Sequence, residues 1–114
     1  MGPIINMPEG MIDAIPDLVR PIGLKCHPLA PSATGEKRFR VRRLLAAADV
    51  HVLPCRHKGV CVNLVCTHTL NPLLWWPDMQ LLERVEKHLI EQGASPCAIE
   101  TCQQAEQEAK HRGV

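Results

Sequence analysis

Val50-His51-Val52-Leu53, then Lys58-Gly59, then Val60-Cys61-Val62-Asn63-Leu64-Val65-Cys66-Thr67 is the stretch of this 114-residue chain that decides its fold. Two runs rich in β-branched residues flank a Lys-Gly pair suited to a tight turn, the pattern of an antiparallel hairpin. Pro54 has no N–H to give a ladder, which places the first strand at a sheet edge. In the simplest register Leu53, Cys55, Val62, Leu64 and Cys66 share one face, making Cys55 and Cys66 small core residues.

Working outward, Lys37-Arg38-Phe39-Arg40-Val41-Arg42-Arg43 alternates basic and apolar side chains as a half-exposed strand does. Leu44 to Ala48 reads as one turn of helix. Further upstream, Met11, Ile12, Ile15, Leu18 and Val19 fall at helical spacing, but Gly10 and Pro16 break the run into short turns. Gly23–Cys26 reads as a short strand, and Pro28, Pro31, Ser32 and Gly35 supply turn chemistry. Residues 1–35 are therefore expected to be loop-rich, packed on an edge of the sheet or partly mobile.

Downstream, Leu81, Leu82, Val85 and Leu89 make one apolar stripe on a helix over 78–92, with Pro77-Asp78 at its start. Gly93 ends it, and Ser95-Pro96 supplies an N-cap and first position for a second helix reaching about His111. The expected fold is α+β in a single domain, 1–114. A small antiparallel sheet of two to three strands (37–43, 50–55 and 60–68, within a β region at 37–68) packs against a C-terminal αα-hairpin at 72–112.

Composition agrees with a folded, aqueous protein. Apolar residues make up 46% of the chain, with one Phe, no Tyr and two Trp, so the core is aliphatic. No run approaches the roughly 20 apolar residues that a membrane span requires. Met1-Gly2-Pro3-Ile4-Ile5-Asn6 lacks the basic and apolar regions of a signal peptide, so the expected location is cytoplasmic and the six cysteines are expected reduced. Charge is uneven. Residues 1–19 carry three acids and no Lys or Arg, 20–68 carry nine bases against Glu36 and Asp49, and 69–114 carry four bases against seven acids. A basic middle suits an acidic partner, or a basic sheet beside acidic helices.

Four constellations bear on function. Cys55, His57, Cys61, Cys66 and His68 place five zinc-type ligands close together, but without a CxxC knuckle. If 60–67 is a strand, Cys61 and Cys66 face opposite sides, so the expectation is no cofactor, with zinc as the alternative. Cys97 at the second position of a helix would have a stabilised thiolate, the basis of a thiol enzyme or redox sensor. Lys37, Arg38, Arg40, Arg42 and Arg43 could meet phosphates, the basis of a nucleic-acid-binding regulator. Only Phe39 could stack a base, and it points to the other face.

The fourth is a protein-contact surface. Ala98, Cys102 and Ala105 form a small-residue seam that lets helices approach closely. Leu74, Trp75 and Trp76 supply interface anchors. The chain has no GxGxxG, P-loop, HExxH or GxSxG motif. The function expected is that of a small non-catalytic regulatory or inhibitory protein, not an enzyme. It would act by protein–protein contact as a homodimer.

Overall fold

The structure, a computed structural model, describes residues 3–53, 58–67 and 72–97. They form β1 (Ile4–Met7), α1 (Met11–Val19), β2 (Lys25–Leu29), β3 (Arg38–Arg43), β4 (Ala46–Leu53), β5 (Val60–Cys66), α2 (Pro72–Glu91) and β6 (Ser95–Pro96). One six-stranded antiparallel sheet runs in the order β2-β3-β4-β5-β1-β6.

This corrects the expected two-to-three-stranded sheet with a C-terminal αα-hairpin. Ser95-Pro96 does not start a helix: Ser95 pairs with Asn6 and Pro96 with Ile5 at the sheet edge. An edge strand tolerates a proline because one side of its ladder goes unused. The rest of the proposed second helix lies outside the described residues. The N-terminal segment is a builder of the sheet, since β1 sits between β5 and β6 and β2 forms the far edge. Pro28 in β2 is again accommodated at an edge.

β2 to β5 form a meander. The connection through α1 then carries the chain from β1 back across the sheet to β2, and α2 joins β5 to β6. Both helices lie on one face. Ile5 and Met7 of β1, Phe39 and Val41 of β3, Ala48 and Val50 of β4, and Val62 and Leu64 of β5 meet Ile12, Ile15 and Val19 of α1 in one core. The stripe Leu81, Leu82, Val85 and Leu89 is the face that α2 buries there. Each such aliphatic side chain contributes about 1.5–3 kcal/mol on burial. That outweighs Pro16, which costs α1 roughly 3 kcal/mol and one internal hydrogen bond without breaking it.

The central hairpin differs from expectation by an odd shift of register, which exchanges the two faces of β4 relative to β5. Leu53 pairs with Cys61, Val52 with Val62 and Val50 with Leu64. Leu53 and Cys61 therefore share the face away from the helices, while Val62, Leu64 and Cys66 face the core. β4 is also an interior strand, between β3 and β5, and Pro54 falls outside the described residues. Leu44-Leu45 is no helical turn. It is a two-residue connection between Arg43 and Ala46, which pair as the last rung of β3 and β4.

Gly59, at the entry to β5, has a positive φ of 87°, and a Cβ there would stand 2.4 Å from the Met7 carbonyl oxygen. Only glycine lets β1 come this close. Asn6 locks the approach by donating from Nδ2 to the Lys58 carbonyl at 3.0 Å.

Candidate functional site

The large apolar side chains left exposed among the described residues are Leu44, Leu45, Leu73, Trp75 and Trp76. They belong to two elements, the β3–β4 turn and the N-terminal part of α2, which the bond from Ala47 N–H to Asp78 brings together. Leu44 and Leu45 cap the β3–β4 hairpin at 90% and 79% exposure, and Trp76 on α2 is 59% exposed. A groove of about 420 Å³ joins the two elements, floored by Leu44, Leu45, Pro77 and Leu81 and flanked by Arg43 and Arg84. On α2, Leu73 precedes Pro77 and Trp76 precedes Gln80 by one helical turn, which places both N-terminal to the groove lining. The Trp75 and Trp76 rings lie 6.1 Å apart, tilted by 46°.

Two features fix this junction. The first is Asp78, fully buried, which ties α2 to the start of β4 and the end of β5. The second is backbone strain. Leu44 has φ 54° and is the only non-glycine residue with positive φ among those described. Positive φ at the first but not the second central residue of a two-residue hairpin is the type II′ sign pattern, where glycine is the usual occupant. A leucine held there, and left in solvent, is an outlier that points to use.

Of the residues expected to make protein contact, Trp75 and Trp76 stand at this junction. Leu74 belongs to α2, but its side chain lies outside the description, as do Ala98, Cys102 and Ala105. Leu44, Leu45 and Asp78 escaped the sequence reading. The turn carries no Gly, Asn or Pro to mark it, and an aspartate after a proline reads as a helix start rather than a buried clamp.

The basic strand is β3, with Arg38, Arg40 and Arg42 on the face away from the helices. Arg40 is bidentate to Asp49, from Nε at 2.8 Å and Nη2 at 3.0 Å. Arg38 donates from Nε to the Ala30 carbonyl at 2.9 Å. Lys37 pairs with Asp13 on α1. Arg42 and Arg43 have no carboxylate partner among the described residues. Beyond Asp49, His51 and Asn63 oppose each other on β4 and β5; His51 Nε2 lies 3.7 Å from Asp49 Oδ2, and neither it nor Asn63 Oδ1 has a hydrogen-bond partner among the described residues.

The cysteines are distributed rather than clustered. Cys61 is buried on the face away from the helices, its Sγ 4.0 Å from that of Cys97. Cys66 faces the other side, its thiol 3.2 Å from Met79 Sδ. Burial pushes the Cys66 thiol pKa up, and the Asp78 charge adds to this. Burial alone pushes Cys26 up to about 11. No group of three metal-ligating side chains occurs among the described residues; Cys55, His57 and His68 lie outside them. Cys97 follows β6 and gives its N–H to the Ile4 carbonyl at 2.9 Å. With Ser95 in the ladder, that N–H extends strand pairing rather than opening a capped helix.

No helix among the described residues is long and apolar enough to cross a membrane. Comparison with protein-family models, curated proteins and solved structures finds no match to the chain.

Proposed function

We propose that this protein is non-catalytic and acts by protein–protein contact through the surface formed by Leu44, Leu45, Trp75 and Trp76. One observation carries the reading: the exposed large apolar side chains of the described structure converge there, on a strained turn beside paired tryptophans. Contiguous exposed apolar surface of this kind, with tryptophan anchors, is the composition of an interface centre. The groove's charged rim is Arg43 and Arg84, with no acid in its lining. The occupant it suits is a partner segment with an apolar anchor beside Asp or Glu.

Panning a displayed peptide library against the wild type and Trp76→Ala tests this. Peptides with an apolar anchor and adjacent carboxylates should be enriched on the wild type and lost on Trp76→Ala, with an unchanged thermal melt. Enrichment of basic peptides, or equal capture by both proteins, would overturn the reading. Native mass spectrometry addresses the homodimer. A dimer abolished by Trp76→Ala makes a second copy of the chain the occupant. A dimer untouched by it, with no peptide enriched, removes this surface from the interface.

Nucleic-acid binding along Arg38–Arg43 takes second place, because Arg38 and Arg40 are already engaged within the fold.

A further inference from the structure

Lys25 of β2 and Arg42 of β3 are directly opposed in the ladder. Their Cβ atoms are then about 5 Å apart, and like charges at that separation work against the sheet. No carboxylate relieves them: neither Lys25, Arg42 nor Arg43 has an ion pair among the described residues. His27 follows Lys25 on the same face of β2. Lys25, His27, Arg42 and Arg43, with Gly23 and Leu44, line a cavity of about 680 Å³ that contains no acidic side chain.

We propose that this corner of the sheet binds a compact phosphate-bearing anion. Arg42 and Arg43 offer planar forks that match phosphate oxygens, and Lys25 adds a point charge. His27 is positioned to hydrogen-bond a further oxygen. An anion between Lys25 and Arg42 turns their repulsion into attraction, which explains why a fold would keep the pair. A polynucleotide backbone would need the row to continue along β3. Arg40 is neutralised by Asp49, which breaks the row between Arg42 and Arg38, and Arg38 is turned toward the Ala30 carbonyl through its Nε. The cavity lies within the roughly 300–1,000 Å³ typical of small-molecule sites. Leu44 on its wall offers apolar contact to an organic group attached to the phosphate.

The test is calorimetric titration of the full chain with inorganic pyrophosphate, with adenosine diphosphate and with a single-stranded oligonucleotide lacking terminal phosphates. Pyrophosphate and the nucleotide should bind saturably and more weakly as salt rises. Lys25→Gln and Arg42→Gln should each weaken that binding about tenfold or more, whereas Arg38→Gln should not. Without ligand, Lys25→Gln and Arg42→Gln should melt no lower than wild type, since each relieves the like-charge pair, so lost binding cannot be lost folding. Tighter binding of the nucleotide than of pyrophosphate assigns the organic group to the Leu44 wall; equal binding assigns recognition to phosphate alone. No saturable binding of either overturns the proposal. So does an oligonucleotide that binds more tightly than pyrophosphate and loses as much with Arg38→Gln as with Arg42→Gln.

Discussion

Asp78 Oδ1 accepts the backbone N–H of Ala47 at 2.9 Å, a bond between residues 31 positions apart that fixes α2 against the start of β4. Its other oxygen accepts the Thr67 N–H at 3.2 Å and the Thr67 hydroxyl at 2.9 Å. The carboxylate is fully buried, so its cost of desolvation is met by these donors. Asp78→Asn replaces one accepting oxygen with an NH₂ that must face a donor. Unfolding in urea should show a loss of about 2–3 kcal/mol, the penalty for an unmet buried group. A loss below about 0.5 kcal/mol, the level of an ordinary surface substitution, would show that the clamp is dispensable.

Leu44 makes the opposite prediction. A leucine in the left-handed region costs about 1–2 kcal/mol; glycine removes that strain but loses part of the gain to its freer unfolded chain. Leu44→Gly should therefore raise stability by about 0.5–1 kcal/mol while weakening any partner that uses the hairpin tip. Higher stability with weaker capture would mean that the turn is strained for the sake of contact. A fall in stability would mean that Leu44 packs in a way its 90% exposure denies.

Gly59 is constrained by space as well as by φ. An alanine Cβ would meet backbone, the Met7 carbonyl oxygen at 2.4 Å, and backbone of a paired strand does not yield as a side chain does. Gly59→Ala should cost roughly 2–4 kcal/mol, combining positive φ with displacement of β1 from β5. Amide hydrogen exchange should localise the damage, with protection falling in Ile4–Met7 and Val60–Cys66 while β2 and β3 keep theirs. Uniform loss would show that β1 folds together with the whole sheet.

Long periodic elements could be read in the sequence; short ones could not. The stripe Leu81-Leu82-Val85-Leu89 marks the buried face of α2 because four residues repeat at helical spacing. Arg38-Phe39-Arg40-Val41-Arg42 shows its two faces because strict alternation has one interpretation. β1 offers only Ile5 and Met7 on its buried face, too few to show a period, and its place in the sheet depends on a strand more than fifty residues away. Register was lost for a related reason. Val60-Cys61-Val62 is apolar at every position, so its pattern does not say which face is inside, and pairing with β4 decides it. At the candidate sites, Trp75 and Trp76 stood out by type. Lys25 and His27 did not, because only the β2–β3 pairing brings them beside Arg42 and Arg40.

That pairing also shapes the alkaline limit of the fold. On β2, Cys26 lies opposite Val41 on the core-facing side, and burial pushes its thiol pKa from near 9 to about 11. Cys66, facing the same core, is shifted in the same direction by burial and by Asp78. A thiol with a raised folded pKa stays protonated in the native state after the unfolded chain has begun to ionise. Its contribution is fully present below about pH 9 and is lost as pH rises toward about 11. Because the chain has no tyrosine, thiols and lysines are its main titrating side chains in that window. Urea unfolding of the wild type should show stability falling across it, and the fall should be shallower in Cys26→Ala and shallower again with Cys66→Ala added. The lysine contribution is common to all three proteins and cancels in the comparison. Below the window both thiols should react with iodoacetamide more slowly than free cysteine, since the reactive thiolate is suppressed. Equal slopes in the three proteins, or rapid alkylation of Cys26 near neutral pH, would mean that water reaches the β2 edge and the thiol is not held in the core.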